Sequence, residues 1–423
     1  MSSPLLPSLD PRALAAVAGG SARQYSDDDA GAFDRILATA RDLGATDLHV
    51  VAGRPPLLRI AGDLVPRGEV LSPELVERMV LPIVPARVRP ILERDGSTDF
   101  ALDHDLLGRF RVNVGRQRTG LKACLRLIPF EIPTLEGLGL PPQVAKATEH
   151  HQGLIVVTGP TGHGKTTTLA ALVNLINTTT THHVITVEDP VEYVHPIKRA
   201  MMSQREVGGT TKSFQAALKG SLREDPDVIV VGELRDAETV RMALSASETG
   251  HLVLGTMNTP SAAKTIDRLI DLFPPADQQQ VRITLAGGLR LIVSQRLVPT
   301  PDRESVNAAV EVLPGSIPLW NLIRDNKTFQ IPSLQQRGKS MGIVRLEESL
   351  AELVKAGKAS LEDALAITES PEELRAFVKG TGLVGAPPAG APGAPAATPD
   401  TTAEGGGKAA KLFRAVGFGK KEG

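Results

Sequence analysis

The chain has 423 residues, 41% of them hydrophobic, an ordinary proportion for a globular protein but too long a chain for one typical core. With 47 basic against 48 acidic residues the net charge is −1, which excludes a chain built to coat nucleic acid by excess positive charge and leaves room only for a local basic groove. Its one cysteine, Cys124, excludes an internal disulfide and a paired CxxC zinc element, and reads as a small residue buried in an apolar strand.

In chain order, residues 1–28 mix Pro, Ser, Ala and Gly with Asp27, Asp28 and Asp29, and read as a flexible leader. Met1–Gly20 lacks the basic and apolar regions of a signal peptide, and no apolar run approaches the ~18–20 residues that span a bilayer. The expected compartment is the cytoplasm. A helix is predicted from Phe33 to Leu43, ending at Gly44. Short strands follow at Asp47–Val51, Leu57–Ile60, Phe100–Leu102, Arg109–Val114 and Leu121–Leu127, separated by turns such as Gly53-Arg54-Pro55-Pro56. They form a small α+β domain over residues 29–133, and the Pro- and Gly-rich stretch 134–142 reads as a linker.

Beyond it the pattern changes. Apolar runs Leu154–Val157, Val184–Val187, Val228–Val231 and Leu252–Gly255 alternate with helical stretches, the mark of a mainly parallel sheet covered by helices. Helices return after Pro314, one of them from Arg345 to Ala356, so an α/β domain is expected over 143–380. Residues 381–423 are an Ala/Pro/Gly-rich linker and a short basic tail with interspersed apolar residues. That tail is either solvated or a tethered docking helix. No repeat of solenoid length is present.

The chemistry concentrates in the second domain. Gly159-Pro160-Thr161-Gly162-His163-Gly164-Lys165-Thr166 matches GxxxxGK[ST] in full, after an apolar strand and before a helix predicted over Thr167–Asn177. Such a loop cradles phosphates with inward N–H groups and a helix N-terminus, so ATP is the expected ligand, with Lys165 on the β- and γ-phosphates and Thr166 on Mg²⁺. Glu188-Asp189-Pro190-Val191-Glu192-Tyr193 closes a second strand, where open α/β sheets place ligands. Val228-Ile229-Val230-Val231-Gly232-Glu233 puts Glu233 where P-loop proteins hold Mg²⁺ and attacking water, with Gly232 in place of the usual Asp. His251 opens the strand Leu252–Gly255, and a lone histidine there is equally an ordinary structural residue.

Together these stretches resemble the secretion ATPase superfamily that powers type II secretion and type IV pili, over about Phe33 to Val378. The likeness is greatest to its retraction (twitching-motility) branch, through Thr46-Asp47-Leu48-His49, Gly108-Arg109-Phe110-Arg111-Val112-Asn113-Val114, Gln204-Arg205-Glu206-Val207-Gly208, Leu222-Arg223-Glu224-Asp225-Pro226-Asp227 and Ser261-Ala262-Ala263-Lys264-Thr265-Ile266-Asp267-Arg268. The assembly and secretion branches carry a CxxC zinc element and a longer N-terminal region, which this sequence lacks.

The resemblance implies a RecA-like P-loop ATPase domain with a smaller N-terminal PAS-like α+β domain. It implies a homo-hexamer acting on an inner-membrane pilus platform protein, with paralogous pilus ATPases as further partners, and peripheral placement at the cytoplasmic membrane. It makes Glu192 the general base, Glu233 the residue supporting Mg²⁺ and water, and His251 a sensor of the γ-phosphate. Arg109, Arg111 and Arg126 become candidates to reach a neighbour's nucleotide, although each taken singly is as well an ordinary strand-face arginine. Thr167 completes the phosphate-binding set from Gly159.

Three positions depart from the family pattern. Asn258 stands where the family has a second histidine and cannot titrate near neutral pH. Pro318-Leu319-Trp320-Asn321-Leu322 keeps only the second half of the retraction motif, and His163 replaces a serine at a variable position. Two rival expectations follow: a non-hydrolysing nucleotide-binding regulator of a paralogous motor and, with less support from charge and aromatic content, a nucleic-acid translocase.

Overall fold

The computed structural model describes residues 27–60 and 62–380. The expected basic tail and nearly all of the expected leader lie outside these residues. Alternation of apolar and polar residues along short strands buries one face of each, and this governs the N-terminal part. Strands β1 (Asp47–Val51), β2 (Leu57–Ile60), β3 (Asp63–Pro66), β4 (Ser97–His104), β5 (Gly108–Gln117) and β6 (Gly120–Leu127) pair antiparallel in the order β3-β2-β1-β6-β5-β4. Along β6, Leu121, Ala123, Leu125 and Leu127 turn inward, while Lys122 and Arg126 stay exposed. Cys124 shares their polar face and is half-buried, not a core residue as expected.

The inward face packs against helices Asp27–Asp42 and Pro73–Val80 through Phe33, Leu37, Met79 and Val80. The first of these starts six residues before the expected Phe33, inside the presumed leader. The second is opened by Ser72, whose hydroxyl accepts the Leu75 N–H, and by Pro73 at the first helical position, a signal the sequence reading passed over.

Strands buried on both faces must be apolar, and the central ones of the second part, Gly153–Thr158, Val228–Val231 and Leu252–Met257, are so but for Thr158 and Thr256, while the flanking strands carry polar residues. Strands β7 (Gly153–Thr158), β8 (His183–Glu188), β9 (Met201–Glu206), β10 (Val228–Val231), β11 (Leu252–Met257), β12 (Leu289–Pro299) and β13 (Val306–Pro314) form one sheet in the order β13-β12-β7-β11-β10-β8-β9. Every pairing is parallel except β12–β13. Successive residues of β7 feed opposite cores: Leu154 and Val156 join one, Ile155 and Val157 the other. Each such side chain contributes ~1.5–3 kcal/mol on burial.

Helix Lys165–Thr179 lays Leu169, Leu172, Val173 and Ile176 on the second core. Leu135 and Leu140 are buried in it too, so the expected linker is anchored to this sheet. Helices Leu346–Lys355, Leu361–Ile367 and Pro371–Lys379 build a separate cluster on Val298 of β12 and Ala309 of β13. Among the described residues no helix is long and apolar enough to cross a membrane.

Candidate active site

The parallel strands all end toward one edge of their sheet, and the N-terminal sheet faces that edge. Between them lies a cleft of about 910 Å³ lined by Gly162, Lys165, Thr166, Glu192, Glu233, Arg111 and Arg126 among others. The phosphate loop leaves β7 at Gly159, whose φ of 145° suits glycine; a Cβ there would stand 2.4 Å from the Gln295 carbonyl oxygen. Gly164, at φ 77°, turns the chain into helix Lys165–Thr179 and leaves the N–H groups of its first turn without helical partners. Lys165 Nζ donates to the Pro160 carbonyl at 2.8 Å. Burial lowers the lysine pKa, while Glu233 and Glu192 act in the opposite sense.

Strand β12 walls this loop. Gln295 donates its amide to the His163 carbonyl at 2.5 Å and accepts the Thr168 hydroxyl at 2.8 Å. His163 Nδ1 accepts the Leu297 N–H at 2.9 Å, so the ring is neutral in this geometry. Burial, then Arg296 and Lys165, hold its pKa below the usual imidazole value. His163, at the variable position where the family has a serine, thus joins the loop to the sheet. Thr167 shares a hydrogen bond of 3.2 Å with the Tyr193 hydroxyl.

The acidic residues gather on neighbouring strand ends. Glu188 is half-buried, accepts the Thr186 hydroxyl at 2.7 Å and has its pKa raised by desolvation. Glu192 stands 3.6 Å from Arg111 and opens to the cleft. Glu233 accepts the Asn258 amide at 2.7 Å on one oxygen and pairs with Arg235 at 2.6 Å on the other. Gly232 is explained by space: a Cβ would lie 3.2 Å from the Val187 carbonyl oxygen and 3.3 Å from Glu188 Cα. The Thr166 hydroxyl and Glu233 carboxylate are hard oxygen donors beside the loop, and suit Mg²⁺, which takes one or two protein ligands plus phosphate oxygens and water.

The three predicted arginines separate. Arg111 and Arg126 are cross-strand neighbours on β5 and β6 and line the chain's own cleft, with Arg126 Nε 3.0 Å from Asp47. Arg109 is absent from the lining and is spent on contacts between the two sheets. Within one chain, Arg111 and Arg126 thus face the chain's own nucleotide cleft, and Arg109 does not.

His251 requires a plain correction. It precedes β11 at the amino end, with Nδ1 3.1 Å from the Ala246 carbonyl, whereas the loop follows the carboxyl end of the paired β7. Six residues at ~3.3 Å each put His251 roughly 20 Å along the strand direction from the start of the phosphate loop. Arg235 and Gln295 were missed, since neither belongs to a motif; Gln295 buried within an apolar strand was the available signal.

Comparison with known proteins gives a consistent result. A family model described as type II/IV secretion system protein matches residues 94–375. The type IV pilus retraction ATPase PilT of Pseudomonas aeruginosa is 43% identical over 80% of this chain and 98% of its own length. A twitching motility protein of Neisseria gonorrhoeae is 41% identical over 75% of this chain and 86% of its own. A crystal structure of the pilus retraction motor PilT with bound ADP superposes with a TM-score of 0.74 at 45% identity, covering 81% of this chain and 98% of that one.

Proposed function

The chain belongs to the type II/IV secretion system protein family, and from that premise we propose that it is an ATPase motor that drives retraction of type IV pili. The single observation carrying this reading is that the complete phosphate loop and Glu192 face one cleft between two sheets, in a chain alike over nearly the full length of a retraction ATPase. ATP binds with its phosphates on Gly162 to Thr166, and Lys165 exchanges the Pro160 carbonyl for phosphate oxygens. Glu192 orients a water and takes its proton as the water attacks the γ-phosphorus. Thr166 and Glu233 would hold Mg²⁺, which would supply positive charge to offset that of the phosphates. Arg111 and Arg126 bring further positive charge from the N-terminal sheet. Closing and reopening of the cleft supplies the mechanical stroke.

The working form under this proposal is a homo-hexamer at the cytoplasmic face of the inner membrane, pulling through a pilus platform protein and able to meet paralogous pilus ATPases. Asn258, the departure that motivates the regulatory reading, still donates its amide to Glu233, so that carboxylate keeps a partner. The test is steady-state Mg-ATP hydrolysis by the purified chain beside Glu192→Gln. Turnover by the wild type, with a variant that binds ATP but is inert, supports the motor. Binding without turnover by both refutes it in favour of a regulatory subunit.

A further inference from the structure

Arg109 lies just outside the cleft, with 14% of its side chain exposed, and binds both sheets at once. From β5 of the N-terminal sheet its Nε donates to the Val191 carbonyl at 2.7 Å and its Nη2 to Glu206 of β9 at 2.5 Å. Asp103 of β4 steadies the remaining nitrogen at 2.7 Å. Glu206, equally buried, also accepts the Val191 N–H at 3.2 Å, and Arg87 stands 3.7 Å from its other oxygen. Both polar groups of Val191 are thereby fixed, one from each sheet, and the next residue is Glu192. Two residues along the same face of β5, Arg111 meets the Glu192 carboxylate.

We propose that Arg109 and Glu206 form an interdomain clamp that positions Glu192 for hydrolysis only while the N-terminal sheet is seated on the ATPase sheet. Arg109 is then a positioning residue, not one that touches the nucleotide, and the proposal rests on the reading of Glu192 as the base. Opening the cleft withdraws Arg109 from the Val191 carbonyl and frees the backbone that carries Glu192, while the phosphate loop, built on β7 and β12, stays intact. The clamp ties the hydrolytic step, and not nucleotide binding, to domain closure.

The test uses the full chain with Arg109→Met, Glu206→Gln and the double variant, which removes both charges of the interdomain pair. Three quantities are measured: affinity for a fluorescent ADP analogue, kcat and KM for Mg-ATP, and the melting temperature. The expected result is a kcat lowered about 10- to 100-fold, with KM and ADP affinity changed less than about threefold. In the double variant the kcat loss should match that of the singles, because all three break the same clamp. An unchanged kcat in the double variant overturns the proposal. So does a parallel fall of kcat, ADP affinity and melting temperature, the signature of a merely structural pair. Glu192→Gln is run alongside. If it turns over like the wild type, the base reading falls and the clamp with it. If it is inert while the clamp variants are normal, only the clamp falls.

Discussion

Glu192 and Glu233 face the same cleft and are held from opposite sides of it. Glu233 is gripped by Asn258 and Arg235, which follow β11 and β10 of its own sheet. Glu192 meets Arg111 of the other sheet, and the backbone before it is tied to Arg109. Were the sheets to part, one carboxylate would keep its surroundings and the other would lose them. Under the proposed mechanism such a site would bind nucleotide in either state and be complete for hydrolysis in only one.

The contrast can be broken at several points. The largest effect is expected from Glu192→Gln, which should lower kcat by about 10²- to 10⁴-fold with nucleotide affinity retained, read by phosphate release and by titration with an ADP analogue. An equal loss of affinity would place Glu192 in binding instead of chemistry.

Next is the acid stability of the segment beyond Glu192. His195 is buried, its Nδ1 has no partner, and burial pushes its pKa down to about 4 from an ordinary 6.5. The unfolded chain takes up the proton first, so stability should fall as pH drops from about 6.5 toward 4, by up to roughly 3 kcal/mol from this group. His195→Leu should flatten that part of the profile in urea melts at stepped pH.

Gly232→Ala should cost about 1–3 kcal/mol by pressing a methyl against the Val187 carbonyl and Glu188, and the loss should appear as a lowered melting temperature. The smallest expected effect belongs to Asn258→Ala. Losing one hydrogen bond to a carboxylate, about 1 kcal/mol, should slow hydrolysis about fivefold without changing stability. A far larger loss would mean that Glu233 depends on its own sheet as heavily as Glu192 depends on the neighbouring one.

What the sequence disclosed was whatever is local. The phosphate loop is a contiguous string, and the parallel strands announce themselves because burial on both faces removes every polar residue from β7 and β10 save Thr158. Glu192 and Glu233 were legible because they follow the carboxyl ends of such strands, four residues after Glu188 and two after Val231, and their roles came from the family resemblance. The three arginines could not be ranked because Arg109 and Arg111 share one face of β5, and their fates diverge only through Val191 and Glu206, 82 and 97 residues away. His251 was misjudged on motif order, though its place at the start of a strand already set it against the rule that ligands sit at carboxyl ends. The pair β12–β13 went unread because its polar members, Ser294, Gln295 and Glu311, are buried and interrupt the apolar run.

Strand β12 carries a consequence of its own. Gln295 and Leu297 grip the phosphate loop, and Val298, one residue further, sits in the core of the C-terminal helices. An extended backbone is already near its full length, so it does not absorb a pull by stretching. A shift of the loop would therefore reach those helices through a single residue of strand, from Leu297 to Val298.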